Sequence, residues 1–244
     1  MFVFFRNISN FYLRKILVAI RVLRYKKKLT YCHVCKKSTF SVLVGFPPNL
    51  LTACGDCLSL SRQRLVARYL ASINIDQLKV LHFAPEPGLA SMFRSTKGSH
   101  YEPVDMRTES YQNAREIDIE NIDRPDESYD VVIANHILEH VDDRRAIKEL
   151  HRILRNGGTA LATFPIVYAW EKTYEDPSIV DSEERELHFG QHDHLRIYGR
   201  DVEKIMSKYF EVDKIVADGP DHVLFGMTRG EILFILKKPL VSTQ

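Results

Sequence analysis

One stretch of the sequence indicates the fold: residues 135–158 read NHILEHVDDRRAIKELHRILRNGG. It follows an apolar run, VVIA at residues 131–134, which is typical of a strand buried on both faces of a parallel sheet. Helical spacing then places five apolar side chains on one face: Ala146, Ile147, Leu150, Ile153 and Leu154. Gly157 and Gly158 are predicted to end this helix, and residues 159–164 form the next strand. This order predicts a right-handed βαβ unit.

The same residues resemble the segment after the fourth strand of class I S-adenosylmethionine-dependent methyltransferases, where a pattern LEHV-D…A…EL-R-L-GG recurs. The resemblance covers roughly residues 30–238. It implies an α/β fold with a Rossmann-like seven-stranded methyltransferase sheet, mostly parallel with an antiparallel last strand. It also implies methyl transfer from S-adenosylmethionine. A βαβ unit without a ligand has the same periodicity, so periodicity alone leaves that alternative open.

Length and charge limit the classes of protein. The 244 residues suffice for one α/β domain and a smaller appendage. The net charge is +2, but residues 1–28 contain eight Lys or Arg and no acid, which leaves −6 for the remainder. A mildly acidic body lacks the basic surface that nucleic-acid binding needs, so no nucleic-acid partner is expected.

The basic N-terminal segment predicts an amphipathic helix over residues 1–28, with apolar side chains on one face and cations on the other. No uncharged apolar run approaches the roughly 20 residues of a membrane-spanning helix, and no cleavage site of a secretory signal follows. Two alternatives stay open: a helix on an anionic membrane surface, and a helix docked on the protein's own body or in a dimer contact. The expected localisation is cytoplasmic, and peripheral at the inner membrane surface under the first alternative.

The cysteines predict a structural zinc site. The chain has four, in two C-x2-C motifs separated by 18 residues: Cys32, Cys35, Cys54 and Cys57. This spacing is typical of two knuckles around one tetrahedral zinc. Redox-active or disulfide pairs are the alternative, disfavoured because no secretion signal is found and the motif is doubled. Four thiolates leave no open coordination position; His33 is a weaker substitute ligand.

The continuation through Ser59, Arg62 and Arg64 resembles a bacterial, methyltransferase type 11-like subgroup with an N-terminal zinc knuckle. Three segments are therefore predicted. They are the amphipathic helix at 1–28, a zinc-binding ribbon of short strands at 29–60, and the S-adenosylmethionine-dependent methyltransferase domain at 61–244. A helix over residues 58–70 is expected to join the ribbon to the domain.

The cofactor is expected at the carboxyl ends of the strands, where doubly wound sheets bind ligands. The first strand, residues 79–83, is followed by APEPG, where a typical methyltransferase has a glycine-rich turn. Two prolines fix a tight turn by another route, because each restricts φ. LHFAPEPGL at residues 81–89 also resembles a variant of the zinc-knuckle subgroup. Asp105 ends the second strand at the spacing of a ribose-binding carboxylate, with Glu102 as the alternative.

The resemblance implies cofactor contacts for ten residues: Ala84, Pro85, Glu86, Gly88, Asp105, Met106, Asp118, Ile119, Asn135 and His136. Residues 115–119 are predicted to form a short third strand, and Asp118 within it resembles the acid beside the adenine amino group. Asn135 and His136 would border the methionine and the reacting centre. A single acid at a strand end is more often a cap or a solvated charge, but two at this spacing favour a cofactor site.

Residues 188–196 contain three histidines, an aspartate and an arginine. Three interpretations compete. In a catalytic and acceptor-binding loop, a histidine acts as base and Arg196 pairs with an anionic acceptor. In a metal site, His188, His192 and His194 are the ligands. In a solvated loop, the histidines cap helices. The pattern FGQ-DH-R-YG resembles the same subgroup and favours the first, with catalytic candidates in this order: His194, Arg196, His192 and His140.

These observations predict an S-adenosylmethionine-dependent methyltransferase acting on oxygen or nitrogen of a small-molecule or glycan-type acceptor. The alternative is a catalytically inactive binding protein of the same fold, suggested by the missing glycines. An NAD-dependent enzyme is disfavoured because the three-glycine fingerprint is absent. A nucleic-acid role for the ribbon lacks a basic, aromatic-rich face.

Overall fold

A computed structural model describes residues 29–44, 49–96, 100–106 and 114–240. The amphipathic helix predicted at residues 1–28 lies outside them. The chain divides into two compact units, Met1–Tyr69 with Ala217–Glu231, and Leu70–Val216 with Ile232–Gln244. The first unit therefore groups residues 61–69 and 217–231 with the ribbon, whereas the sequence assigned both to the methyltransferase domain.

The first unit is built from two antiparallel hairpins and a helix. The first hairpin pairs β1 (Thr30–Cys32) with β2 (Lys37–Thr39), and the second pairs β3 (Ser41–Val44) with β4 (Asn49–Cys54). Helix α1 spans Ser61–Leu70. It begins later than predicted because Leu58, with φ of +59°, still belongs to the turn after Cys57. Short antiparallel strands therefore lie where the zinc-binding ribbon is predicted, and the ribbon's role in zinc binding stays a prediction.

The elements of the second unit follow in chain order. Its strands and helices are β5 (Lys79–Phe83), α2 (Pro87–Ser95), β6 (His100–Asp105), β7 (Arg115–Glu116), β8 (Tyr129–Asn135), a 3₁₀ turn (Leu138–His140), α3 (Asp143–Ile153), β9 (Leu154–Thr163), β10 (Tyr174–Glu175), α4 (Ser182–Phe189), β11 (Arg196–Ile197), α5 (Val202–Met206), β12 (Glu211–Val216) and β13 (Ile232–Lys237). Helix α6 (Gly219–Leu224) belongs to the first unit.

Seven of these strands form one sheet in the order β12-β13-β9-β8-β5-β6-β7. β5 pairs in parallel with both β6 and β8, β6 with β7, and β8 with β9. β13 is antiparallel to both β9 and β12, so it alone reverses direction within this sheet. The mostly parallel sheet with an antiparallel last strand is therefore confirmed. It places the carboxyl ends of β5, β6, β7 and β8 on one edge.

Helix α3 covers the centre of this sheet. Asp142 caps its first turn, its carboxylate accepting hydrogen bonds from the amides of Arg144 and Arg145 at 3.1 and 3.2 Å. The predicted apolar face is fully buried: Ala146, Ile147, Leu150, Ile153 and Leu154. Among the described residues, no helix combines the length and apolar character needed to cross a bilayer.

The predicted end of α3 is wrong. The helix ends at Ile153, because Leu154 is extended and pairs with Tyr129 at the start of β9. Gly157 lies inside β9 with φ of +76°, next to an irregularity in the β8–β9 register. A Cβ on Gly158 would lie 2.9 Å from the Arg155 carbonyl oxygen. The two glycines therefore lie at the irregular start of a strand, where the backbone has no room for a side chain or needs a positive φ.

We expect Leu150→Ala to lower the free energy of unfolding by about 2–5 kcal/mol, because it leaves a cavity under α3. Lys148→Ala is the matched control, since Lys148 is exposed on the same helix and its loss should change stability by less than about 0.5 kcal/mol. Urea unfolding followed by circular dichroism measures both. Equal losses would show that α3 does not bury this face.

Candidate functional site

The turn after β5 takes a glycine-like conformation without a glycine. Ala84 has φ of +44°, which lies in a region that residues other than glycine rarely adopt. Its amide donates to the Val104 carbonyl at 2.9 Å, which ties the turn to β6. Pro87 occupies the first turn of α2, where its missing N–H costs nothing. The backbone therefore makes the tight strand-to-helix turn that the missing glycines had placed in doubt.

A buried polar network lies at the ends of β5, β8 and β9. His82 places Nε2 3.0 Å from Glu86 Oε2 and Nδ1 3.0 Å from the Tyr101 hydroxyl. Asn135 Nδ2 lies 3.4 Å from both Glu86 carboxylate oxygens, and Thr163 Oγ1 donates to Asn135 Oδ1 at 3.2 Å. Burial raises the pKa of Tyr101, so its hydroxyl stays protonated. The network fixes Glu86 and Asn135.

Sequence reasoning identified Glu86 and Asn135 as site residues but missed their partners His82, Tyr101 and Thr163. One signal was available, because His82 interrupts the apolar pattern of a strand that is buried along most of its length. A polar side chain at such a position needs a buried hydrogen-bond partner.

The three candidate acids have different surroundings. Asp105 is half-buried at the end of β6. Asp118 is exposed, and its carboxylate accepts the Glu120 amide at 2.8 Å. Glu102 accepts from Arg124 Nε at 3.2 Å and from the Tyr129 hydroxyl at 2.6 Å. Burial acts to raise the pKa of Glu102, but these hydrogen bonds outweigh it and leave the pKa lowered. Glu102 is thus engaged by Arg124 and Tyr129, and the assignment of Asp105 as the ribose-binding acid stays a prediction.

The ten predicted cofactor residues all follow the carboxyl ends of four parallel strands. Ala84, Pro85, Glu86 and Gly88 follow β5, Asp105 and Met106 end β6, Asp118 and Ile119 follow β7, and Asn135 and His136 end β8. The Met106 side chain is 58% exposed, whereas that of Ile119 packs in the core. His136 has φ of +53°, a strained conformation of the kind found at binding sites. The topology brings the ten to one edge; their individual roles stay predictions.

The 3₁₀ turn after β8 is held by residues around β11. The Leu195 amide donates to the Glu139 carbonyl at 2.8 Å. Arg196 donates from Nη1 to the carbonyls of Leu138 and Val141 at 3.0 and 2.7 Å, and from Nε to Glu175 at 3.0 Å. These contacts favour a positioning role for Arg196. Its predicted pairing with an anionic acceptor stays a prediction.

The structure brings together two of the predicted histidines and a glutamate. The rings of His140 and His194 have centroids 4.7 Å apart. Together with Glu139 they offer ligand atoms that all lie within 4.8 Å of one another. His194 is buried, and burial lowers its pKa although a hydrogen bond to the Phe189 carbonyl opposes this. His194 is therefore neutral at neutral pH.

The other two histidines of residues 188–196 are not part of this cluster. His192 is exposed. His188 lies on α4, with Nδ1 against the Tyr174 hydroxyl and Nε2 3.6 Å from Glu184. The alternative metal site of His188, His192 and His194 is therefore not found among the described residues.

The four cysteines of the first unit converge. Cys32 Sγ lies 3.7 Å from Cys57 Sγ and Cys35 Sγ lies 3.8 Å from Cys54 Sγ, and all four sulfurs lie within 4.8 Å of one another. The two knuckles have the same kind of turn. The Lys36 amide donates to the Cys32 carbonyl, and the Leu58 amide donates to the Cys54 carbonyl. Lys36 and Leu58 both have positive φ. Burial is the largest cause that raises the pKa of the Cys35 and Cys54 thiols.

His33 does not join this group of cysteines. Its ring packs edge-on against Tyr31 and Phe225, with centroids 5.1 and 4.6 Å away. Burial, followed by the charge of Arg68, lowers the pKa of His33. The surroundings are those of a neutral core histidine.

Comparisons with known proteins agree with this architecture. Residues 68–162 match the family model described as a methyltransferase domain. The S-adenosylmethionine-dependent methyltransferase from Mesorhizobium loti is similar in structure, with a TM-score of 0.50, 14% identity, and coverage of 72% of this chain and 97% of that one. The YcgJ protein from Bacillus subtilis has a TM-score of 0.49 and 15% identity, covering 74% and 99%. A search of curated proteins finds no match. The fold is that of class I methyltransferases, and the family match supports dependence on S-adenosylmethionine.

We expect Ala84→Gly to leave the protein as stable or more stable, by up to about 1 kcal/mol, because glycine removes the penalty of a left-handed residue. Ala90→Gly, in the buried face of α2, is the matched control and should cost about 1 kcal/mol or more. Thermal unfolding measures both. Equal destabilisation would show that the turn is not left-handed at Ala84.

Proposed function

We propose that this protein transfers the methyl group of S-adenosylmethionine to an oxygen or nitrogen of a small-molecule or glycan-type acceptor. One observation carries the proposal. Asp105, the left-handed Ala84 turn and the Glu86–Asn135 pair follow neighbouring parallel strands at one edge of a sheet with the methyltransferase strand order. The match of residues 68–162 to a methyltransferase domain supports it independently.

The residues at this edge suit a ligand with hydroxyl groups and positive charge. The Asp105 carboxylate would accept hydrogen bonds from ribose hydroxyls, and Asp118 would take the adenine amino group. Glu86 would face the cationic amino-acid portion, held in place by His82. The Ala84 turn would allow the backbone to approach closely, which is the purpose of glycine in related turns.

The acceptor would be bound by the segment between β9 and β11. Tyr168, Trp170 and Tyr174 are each more than a third exposed there, and the rings of Trp170 and Tyr174 lie 6.5 Å apart. Exposed aromatic rings offer apolar faces to planar groups or sugar rings while their polar atoms still form hydrogen bonds. This surface supports a small organic or glycan-type acceptor.

S-adenosylmethionine supplies an electrophilic methyl group that the acceptor displaces in line. The protein's part is to align the acceptor and to accept its proton. His194 suits the second task because its lowered pKa keeps the imidazole neutral, and His140 lies beside it. Arg196 would fix the turn that carries His140, while the exposed His192 would contact the acceptor from outside.

A catalytically inactive binding protein of the same fold is the second candidate. It is favoured by the APEPG turn, which has a single glycine. The left-handed Ala84 weakens this argument, because the turn keeps its shape without the missing glycines. The cytoplasmic location and a membrane or dimer contact through residues 1–28 remain proposals as well.

For the first unit we propose a structural zinc ion held by Cys32, Cys35, Cys54 and Cys57. Tetrahedral coordination at about 2.3 Å separates sulfur atoms by about 3.8 Å, close to the two measured separations of 3.7 and 3.8 Å. Ser59 Oγ lies 3.3 and 3.2 Å from the sulfurs of Cys32 and Cys57. The buried Arg64 guanidinium would offset the charge of four thiolates.

To test the cofactor, S-adenosylhomocysteine is titrated calorimetrically into zinc-replete protein. We expect Asp105→Asn to weaken binding about 10- to 100-fold, because hydrogen bonds to a charged group contribute about 1.5–3 kcal/mol. Asp213→Asn is the matched control, an exposed acid on the opposite edge strand β12, and should bind like wild type. Absence of binding by folded wild-type protein would refute the proposed function.

To test the zinc site, the metal bound to purified protein is counted by mass spectrometry. We expect one zinc per chain in wild type, its loss in Cys35→Ser, and a lower unfolding temperature after chelation, since a structural site adds its binding energy to folding. His33→Ala is the control and should keep one zinc. Zinc in Cys35→Ser but not in His33→Ala would overturn the ligand assignment.

A further inference from the structure

The cluster of Glu139, His140 and His194 contains a carboxylate with unusual surroundings. Glu139 is fully buried, and neither carboxylate oxygen accepts a hydrogen bond of acceptable geometry from any described residue. A charged carboxylate out of water is strongly unfavourable unless a cation or hydrogen-bond donors compensate it. An uncompensated buried carboxylate therefore calls for an opposite charge.

Among the described residues the ion-pair contact of Glu139 is with His136, whose Nδ1 lies 2.9 Å from Oε1. A histidine supplies positive charge only when it is protonated, and the His136 side chain is 29% exposed. The second oxygen, Oε2, has no such contact in the part of the chain that the structure describes. His136 alone therefore leaves half of the carboxylate without a partner.

Both imidazoles of the cluster are oriented by main-chain carbonyls. His194 Nδ1 lies 3.1 Å from the Phe189 carbonyl, and His140 Nδ1 lies 3.3 Å from that of Asp193. A carbonyl oxygen only accepts hydrogen bonds, so each Nδ1 carries the hydrogen and each Nε2 keeps its lone pair. Metal-binding histidines commonly have this arrangement, in which the second ring nitrogen donates to a carbonyl or a carboxylate.

The peptide segments that carry the cluster are also fixed. Leu195 donates to the Glu139 carbonyl, and Arg196 clamps the carbonyls of Leu138 and Val141. The Tyr198 hydroxyl lies 2.9 Å from the Leu138 carbonyl and 3.0 Å from Asp143 Oδ2. Backbone and neighbouring side-chain contacts therefore fix the peptide segments that carry the three side chains.

From this geometry we infer that Glu139, His140 and His194 bind a divalent transition-metal cation. Two imidazoles and one carboxylate are a ligand set for such ions, and they leave further positions for solvent or substrate. The cation would supply positive charge to Glu139, of which His136 contacts only Oε1. The set differs from the four thiolates of the first unit, which are softer ligands and leave no open coordination position.

This site gives the proposed function a more specific form, and to that extent rests on it. The cluster directly follows β8, at the sheet edge that would hold the cofactor. An acceptor hydroxyl bound to the cation would lose its proton more readily, because a bound cation lowers the pKa of a coordinated oxygen. The inference therefore selects hydroxyl acceptors.

The test is equilibrium dialysis of protein carrying one equivalent of zinc against Co²⁺, with bound metal counted by mass spectrometry. Thiolate-to-cobalt absorption would report exchange into the cysteine site. Wild type is expected to bind one Co²⁺. Glu139→Gln and His194→Gln should each bind at least about 10-fold more weakly, since even the loss of a residue that supports a ligand costs about 10- to 100-fold. His188→Gln, in the same segment but outside the cluster, should bind like wild type.

Glu139→Gln preserves shape and removes an uncompensated charge, so without Co²⁺ it should unfold at the same temperature as wild type or higher. Should it fold poorly, His140→Gln replaces it. No Co²⁺ binding by wild type, or equal binding by all variants, would overturn the site. S-adenosylhomocysteine binding separates the two proposals: its presence without Co²⁺ binding removes only the metal, and its absence with Co²⁺ binding removes only the proposed function.

Discussion

Parallel pairing of β5 with both β6 and β8 is the constraint on which the candidate site depends. Because all three strands run in one direction, the segments that follow them leave the sheet at one edge. Those segments carry Ala84 to Glu86, Asp105 and the stretch from Asn135 to His140, which are distant in sequence. A central strand that paired antiparallel to either neighbour would send these groups to opposite edges.

The two buried carboxylates at this edge, Glu86 and Glu139, differ in how many hydrogen bonds they accept. Glu86 is nearly as buried as Glu139, yet His82 and Asn135 contact both of its oxygens. Glu139 lies a few residues beyond Asn135 on the same segment and has no hydrogen bond from a described residue. This contrast is the observation from which the cation site is inferred, because His136 contacts only one of the two oxygens of Glu139.

Much of this architecture was predictable because periodicity reports burial. The face of α3 and the strands around residues 79–83 and 131–134 followed from apolar spacing, and the convergence of the four cysteines followed from their spacing. The role of Gly157 was not predictable. A glycine after an apolar stripe fits a helix end and a bulged strand equally well, and only the pairing of Leu154 with Tyr129 selects the strand. The sequence likewise could not show that Arg196 donates to the carbonyls of Leu138 and Val141, and its pairing with an anionic acceptor stays a prediction.

The contacts of His194 create a choice between two chemistries that cannot occur together. Its Nδ1 proton is committed to the Phe189 carbonyl, which leaves a single lone pair on Nε2. That lone pair can accept a proton from the acceptor or coordinate a cation, but not both. Burial favours the uncharged ring, which suits either role, whereas the uncompensated Glu139 beside it favours the cation. A carboxylate beside His194 raises the pKa of the imidazole and stabilises its protonated form, so Glu139 would also suit a general base. What separates the two chemistries is the charge on Glu139: a bound cation would neutralise it at all times and would lower the pKa of a coordinated acceptor hydroxyl, whereas a general base would neutralise it only after proton transfer.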